Sequence, residues 1–390
     1  MSDAADDGAT APLDPVAEDP PAGPEPPAAA PRRRRVSVRA LLWTAALLLA
    51  VFAAVLVWLL YRDLGTTGAD VADPRYGIEA VKEIGGPGIG ARPRFAGPLG
   101  VAYGPESRIY VADSGNNRIV AFSRQGRYLF EFGEFGVAKP IAGGEYSWKP
   151  GRLNYPTGID VDENGDIYVA DFRNDQIQVF DEKVRFLRRF PDPGKVTGRG
   201  GSGADGLGIA VTDVCVKGGF VYATDTYQVF VFTTDGRLIR QFGRPGGQPG
   251  DLDHPNGIAV GDDGTIYVSD SNHNRVTAFT PDGTPRWNAG TQVVFGQTET
   301  DPDGLGLPRG LAVTTDGSIL VADPFDFEIV RITPEGKIAD RLGSRGSLAG
   351  QVDFPNDVDT EGDLVVIADR GNDRVQVVRL VAKTAPGVGK

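Results

Sequence analysis

The chain has 390 residues and a formal net charge of −12, an acidity that argues against a phosphate-tracking surface, so no nucleic-acid partner is expected. Cys215 is the only cysteine, which excludes an intramolecular disulfide and zinc sites of the paired-cysteine type and leaves a small buried apolar side chain. With 53 glycines and 29 prolines, the composition favours many short strands joined by turns over long helices.

In chain order, residues 1–38 are rich in Ala, Pro and acidic groups and read as a disordered arm. Ala40 to Tyr61 is a 22-residue stretch without a charge. As a helix it is long enough to cross ~30 Å of hydrocarbon. Trp43, Trp58 and Tyr61 stand near its ends, where amphipathic rings favour the headgroup region. No clear small-x-small exit site follows it, which favours a retained anchor over a cleaved signal peptide. Arg32 to Arg35 and Arg39 precede the span, while only Arg62, beside Asp63, follows closely. The positive-inside rule then predicts a single-pass plasma-membrane protein with a cytoplasmic N-terminus and everything beyond Tyr61 outside.

After a linker (62–76) the chain repeats itself. "IYVAD" or a close variant ends at Asp113, Asp171, Asp225, Asp270, Asp323 and Asp369, with spacings of 58, 54, 45, 53 and 46 residues. An apolar stretch and a turn precede each copy ("GIAVGDDGT"), and most are followed by another strand ("NRVTAF"), a turn ("TPDG") and a fourth run ("RLIRQFG"). Four short strands per unit, six times over, predict six four-stranded antiparallel sheets packed around an axis, an all-β six-bladed β-propeller over 77–381 with a flexible tail at 382–390. The sixth unit lacks a fourth strand, whereas "IEAVKEIGG" from Ile78 reads as a spare outer strand. The N-terminal strand is therefore expected to close the last blade and remove an open edge.

The pattern "P-x-G-I-A-V…G-x-I-Y-V-A-D-S-x-N-x-R-V…F-x-x-x-G" resembles the NHL repeat, best at 98–133, 156–190, 255–283 and 355–380. The third unit ("DTYQVF") and the fifth ("DPFDFE") depart from it. The resemblance implies the six-bladed propeller, and its family includes binding modules, sensors and a few enzymes, so fold alone does not decide chemistry.

Candidate sites were weighed against the repeat. His273 in "DSNHNR" reads as a water-facing residue in a turn capped by Asp270 and Asn274. "DVDENGDIYVAD" (160–171) approximates a calcium loop, but Asn164-Gly165 falls where other copies have hairpin turns, and the repeat overrules the motif. The six repeated aspartates, three of them followed five residues later by Arg118, Arg275 or Arg374, read as turn caps and ion pairs. Residues at inner-strand starts differ between copies and are expected to gather at one mouth of the axial channel: Thr157, His254, Asn256, Arg309, Asn356 and Asp357. The excess length of connectors 134–153, 191–207 and 291–306 falls on the same face, with Tyr146 and Trp148 as candidate aromatic anchors.

The leading expectation is a non-catalytic module that binds an extracytoplasmic protein, peptide or glycan and signals through a membrane partner. It is similar to the sensor propellers attached to some bacterial receptor kinases. The rival is a membrane-tethered metal-dependent hydrolase or lyase. "HPNGIAV" and "FPNDVD" resemble gluconolactonase-type propellers, which implies a divalent metal, calcium or zinc, at the channel mouth on Asn256, Asn356, Asp357 and His254. The related fold of the peptidyl-hydroxyglycine lyase implies three axial histidines, and this chain supplies one there at most. No cofactor is expected from the residues themselves.

Overall fold

The computed structural model describes residues 76–86, 94–140, 146–191, 210–290 and 303–382. The expected arm, the span Ala40–Tyr61 and the linker up to residue 75 lie outside the described residues, as do 192–209, 291–302 and the tail beyond Ala382. Among the described residues no helix is long and apolar enough to cross a membrane.

Six four-stranded antiparallel sheets follow one another. Blade 1 runs from its innermost strand Gly100–Gly104 outward through Arg108–Asp113, Arg118–Phe122 and Tyr128–Phe132. Blades 2 to 5 begin with innermost strands Pro156–Val161, Asp213–Lys217, Pro255–Val260 and Leu311–Val313. Blade 6 comprises Pro355–Glu361, Leu364–Asp369 and Arg374–Ala382, with Tyr76–Gly85 hydrogen-bonded antiparallel along its outer edge. Each innermost strand touches those of both neighbours, including blade 6 against blade 1, so the sheets form a ring.

The second strand of each blade explains why the ring is stable. Ile109–Asp113, Ile167–Asp171, Ile266–Asp270 and Ile319–Asp323 are buried at every position, as expected for strands covered on both faces. Burial is organised between blades, not at the axis. Six apolar clusters each combine two adjacent blades; the one joining blades 6 and 1 gathers Ile84, Phe95, Val101, Val111, Val366 and Val375.

The repeated aspartate ends each second strand as a clamp. One oxygen of Asp113, Asp171, Asp270 and Asp369 accepts the backbone N–H of Ala96, Asn154, Asp253 and Asp353, at 2.7–2.8 Å. The other receives the side chains three and five residues on: Asn116 and Arg118, Asn174 and Gln176, His273 and Arg275, Asn372 and Arg374. His273 therefore does not face water. Its Nδ1 lies 2.8 Å from Asp270 and its side chain is 19% exposed, because it takes the place that asparagine holds in three other blades.

The outer hairpins show how the chain chooses its turns. Gly126, Gly236, Gly283 and Gly336 adopt positive φ of 71–90° and donate to the residue three back. Blade 2 places Val184 there, at φ 63°, donating to Asp181 O at 2.8 Å. A β-branched residue in the left-handed region costs roughly 1–2 kcal/mol. Val184→Gly is therefore expected to stabilise the protein by about 1 kcal/mol after the added chain entropy of glycine. A melting-temperature rise of about 2–4 °C checks it.

Candidate functional site

The innermost strands start at one mouth of the axial channel, and a bulge there aims side chains inward. In blades 4 and 6 the ladder pairs Pro255 with Asp270 and Gly257 with Ser269, and Pro355 with Asp369 and Asp357 with Ala368. Asn256 and Asn356 are the extra residues, freed from the ladder as bulged residues commonly are beside sites. Blade 2 shifts register at Thr157 as well. Thr157, His254, Asn256, Arg309, Asn356 and Asp357 line one cavity of about 390 Å³, together with Leu99, Tyr155, Phe172, Thr212, Asp213 and Arg370.

Several of these groups are partly committed to joining blades. Asn356 Nδ2 donates to Leu99 O at 2.8 Å, and Thr212 Oγ1 to Pro255 O at 2.6 Å. Asn256 Nδ2 donates to His254 O and Ser271 Oγ, which leaves its carbonyl oxygen as the group for a ligand. His254 sits on the rim, with Nδ1 2.5 Å from Asp253 and its ring edge-on to Tyr227. The residue before the proline at the rim has positive φ in five blades: Gly97, Tyr155, His254, Leu307 and Phe354, at 49–69°. Phe354 packs edge-on against Phe325 and Phe327, and Phe325 is 58% exposed.

Below the mouth the channel is acidic. Four blades place Gly100, Gly158, Gly257 and Gly310 at the third residue after the rim, whereas blades 3 and 6 place Asp213 and Asp357 there, 7% and 8% exposed. Two residues on stand Asp160, Cys215 and Asp359, lining a second cavity of about 600 Å³ towards the opposite mouth. Each carboxylate accepts a backbone N–H from the following blade: Asp160 from Val216, Asp213 from Ile258, Asp357 from Val101 and Asp359 from Tyr103, at 2.6–3.0 Å. Burial raises Asp160 to about 8, Asp213 to about 7 and Asp359 to about 6, and lifts Asp357 well above the ordinary range, with repulsion from the other channel carboxyls adding to the first two and to Asp357, and from Glu361 to Asp359. Burial likewise pushes the Cys215 thiol up, so it is a poor nucleophile here.

The glycines opposite these carboxylates are required by space. A Cβ on Gly310 would lie 1.7 Å from Asp357 Oδ1 and 2.7 Å from its Cα; one on Gly158 would lie 2.2 Å from Asp213 Oδ1. Gly310→Ala is expected to cost about 2–3 kcal/mol, the price of an overpacked core, and to lower the melting temperature by about 5 °C.

The mouth does not fit the expected metal. Both oxygens of Asp357 already accept N–H groups, from Val101 and Val358, and burial favours its neutral form. Among the described residues, the His, Cys, Asp or Glu groups that converge as a trio are Asp323, Asp326 and Glu328, in the divergent turn of blade 5. There Glu328 pairs with Arg341, and burial, helped by acids where other blades have Asn and Arg, raises Asp323 to about 7. Residues 160–171 form a hairpin and strand, with Asp162 accepting from Asn164 and Asp166. Trp148 is not a free anchor: its ring lies 5.3 Å from Phe186 and 4.4 Å beneath the Arg189 guanidinium. Tyr146 pairs its backbone with Pro140. Arg370, Tyr155 and Phe172 of the mouth were not singled out from the sequence. Arg370 directly follows the repeated aspartate of blade 6 and is the one arginine at that place among the six units.

A family model described as NHL repeat matches residues 95–122 and 153–180, and one described as SMP-30/Gluconolactonase/LRE-like region matches 247–347. The chain is 30% identical over 161 residues to Protein brain tumor of Drosophila melanogaster, covering 40% of this chain and 13% of that protein. It is 31% identical over 114 residues to NHL repeat-containing protein 2 of Gallus gallus (29% and 15% covered). It is 29% identical over 205 residues to Peptidyl-glycine alpha-amidating monooxygenase B of Xenopus laevis (49% and 21% covered). The chain thus spans about a fifth or less of these relatives' length. Among solved structures, virginiamycin B lyase from Staphylococcus aureus superposes with a TM-score of 0.51 at 13% identity, covering 78% of this chain and all of that one. A gluconolactonase from Xanthomonas campestris gives 0.50 at 15% identity, with 78% and 99% covered. Likeness at such identities speaks for the fold alone. With six sheets in a ring and matched repeats in its first two blades, the chain is a six-bladed β-propeller carrying NHL repeats.

Proposed function

We propose that the chain is a single-pass membrane protein presenting its propeller outside the cell as a non-catalytic binding module, with the ligand entering the channel mouth at Thr157, Asn256, Arg309 and Asn356. The rim carries this reading. Positive φ at that position is met without strain by glycine, as at Gly97, yet Tyr155, His254, Leu307 and Phe354 hold it elsewhere. Bulky residues kept in a strained conformation, each different, support a surface whose side chains matter. The anchor rests on the uncharged run Ala40–Tyr61 and the arginines before it. A signal reaching the cytoplasm passes through a membrane partner.

Two measurements test it. Protease added to intact cells is expected to cut the propeller while an N-terminal tag stays protected; a protected propeller overturns the topology. For the site, Gly97→Tyr copies blade 2; its Cβ would meet nothing nearer than Arg370 at 3.8 Å, and the left-handed backbone that Tyr155 tolerates should cost about 1–2 kcal/mol, so the variant should fold, somewhat less stable, with a narrowed mouth. Small molecules that raise the melting temperature of the full-length chain should lose their effect in Gly97→Tyr. Ligands that bind the variant equally well place the site elsewhere.

A further inference from the structure

The arginines of this protein are generally partnered. Arg118, Arg275 and Arg374 hold the repeated aspartates, Arg244 holds Asp251, Arg331 holds Asp316 and Asp340, and Arg341 holds Glu328. The exposed Arg94, Arg124, Arg127, Arg173 and Arg237 make no such pair, and neither do Arg309 and Arg370, which are set apart by their place in the fold. They line the same cavity at the mouth, and neither guanidinium has a hydrogen bond or ion pair among the described residues. They are near enough to repel: burial first, and then Arg370, holds Arg309 below its ordinary value. Two unpaired cations face one concave space, Arg309 half-buried and Arg370 exposed at its lip, an arrangement that a bound anion would stabilise.

The surroundings define the rest of the ligand. Tyr155, Phe172, Leu99 and Ala210 give the cavity an apolar wall, and Arg173 lies over the Tyr155 ring at 4.4 Å, fixing that ring in place. Of the carboxyls deeper in the cavity, buried Asp357 favours its neutral form and burial raises Asp213 to about 7, which weakens their repulsion of an anion above them. A volume of about 390 Å³ admits a small organic molecule.

Resting on the reading of the mouth as the ligand site, we propose that it binds a small organic anion whose oxyanion head, carboxylate or phosphate, sits between Arg309 and Arg370 while its apolar body lies against Tyr155 and Phe172. Arginine suits both heads because its planar fork matches two oxygens at once.

The test titrates the full-length chain in detergent with four one-ring probes: phenyl phosphate, phenylacetate, benzyl alcohol and benzylamine. One or both anions are expected to bind and raise the melting temperature, more weakly as salt is added, while the neutral and cationic rings do not. The tighter of the two anions identifies the head group. Arg309→Gln and Arg370→Gln should each weaken that anion about tenfold or more, the usual effect of losing one charged hydrogen-bonding partner. Removing a mutually repelled charge should leave the unliganded melting temperatures equal to or above that of the parent, so lost affinity is not lost fold. Neutral or cationic rings binding as tightly as the anions, in a manner abolished by Gly97→Tyr, would overturn the anion inference and leave the mouth as the site. So would anion affinity unchanged in both glutamine variants. If none of the four probes binds, both the inference and the reading beneath it fail.

Discussion

Replacing Tyr76–Gly85 with a glycine–serine linker of equal length is expected to lower the melting temperature by more than about 10 °C, the largest effect of any change considered for this chain. The segment pairs along Arg374–Ala382, from Tyr76 opposite Ala382 to Gly85 opposite Arg374, with one bulge between Ala80 and Lys82. Losing it uncovers a row of backbone donors and acceptors on a long apolar edge, which invites aggregation as well as unfolding. Side chains go with it. Ile84 is 4% exposed within the cluster that joins blades 6 and 1, and Ile78 packs onto the cluster that joins blades 5 and 6. Glu83 pairs at 2.7 Å with Arg374, which is itself 1% exposed and also holds Asp369 and the carbonyls of Ser347 and Gln351. Because the strand comes from the far end of the chain, it ties blade 6 without a peptide link. Ile84→Ala alone should cost about 2–4 kcal/mol, in line with other buried truncations. A melting temperature unmoved by the linker replacement would show that the ring closes without this strand.

That closure illustrates what could be read in advance. The blades were legible because four of the six units repeat one local solution: an apolar strand ending in aspartate, a left-handed turn, and an arginine or glutamine five residues after the aspartate to satisfy it. The lip residues Thr157, Asn256, Arg309 and Asn356 were legible too, as variable positions in an otherwise constant frame. The rest depends on distance. Arg370 joins Arg309 across blades, and neither turn nor strand periodicity says that two arginines 61 residues apart in sequence face one cavity. For His273 the sequence carries a usable signal, since three residues after the clamp aspartate three other blades place Asn116, Asn174 and Asn372. Trp148 could not be assigned from its connector, because the groups that hold it, Phe186 and Arg189, lie on the outer strand of blade 2. The acidic waist was hidden for a further reason. Asp160, Asp213, Asp357 and Asp359 share an environment only after the inner strands are aligned through their bulges, and blade 3 lacks the proline that marks the other starts.

That waist should make stability fall as pH rises. In the unfolded chain these carboxyls ionise near 3.8, whereas inside the channel Asp359, Asp213 and Asp160 hold their protons to about 6, 7 and 8, and Asp357 is raised as well. The folded state therefore binds more protons than the unfolded state between about pH 4 and 8, and stability declines across that window. Relative to a chain without such shifts, nothing is lost below pH 4, and the whole penalty is present above pH 8. Asp213, buried and raised to about 7, sets the scale at a few kcal/mol; Asp160 and Asp359 keep part of their surface in the channel and contribute less. Asp316, held down at about 2 by Thr314, Ser318 and Arg331, titrates below the window and leaves the slope alone. The measurement is the denaturant midpoint at pH 5 and pH 8 at fixed ionic strength. The variant Asp213→Gly/Asp357→Gly adopts the residue of the other four blades. It loses the bonds to Ile258 and Val101, so it should be the less stable protein at pH 5, yet its decline towards pH 8 should be much shallower. Parallel declines in parent and variant would remove these two carboxyls as the cause, and a parent more stable at pH 8 than at pH 5 would mean that the channel solvates them as fully as water does.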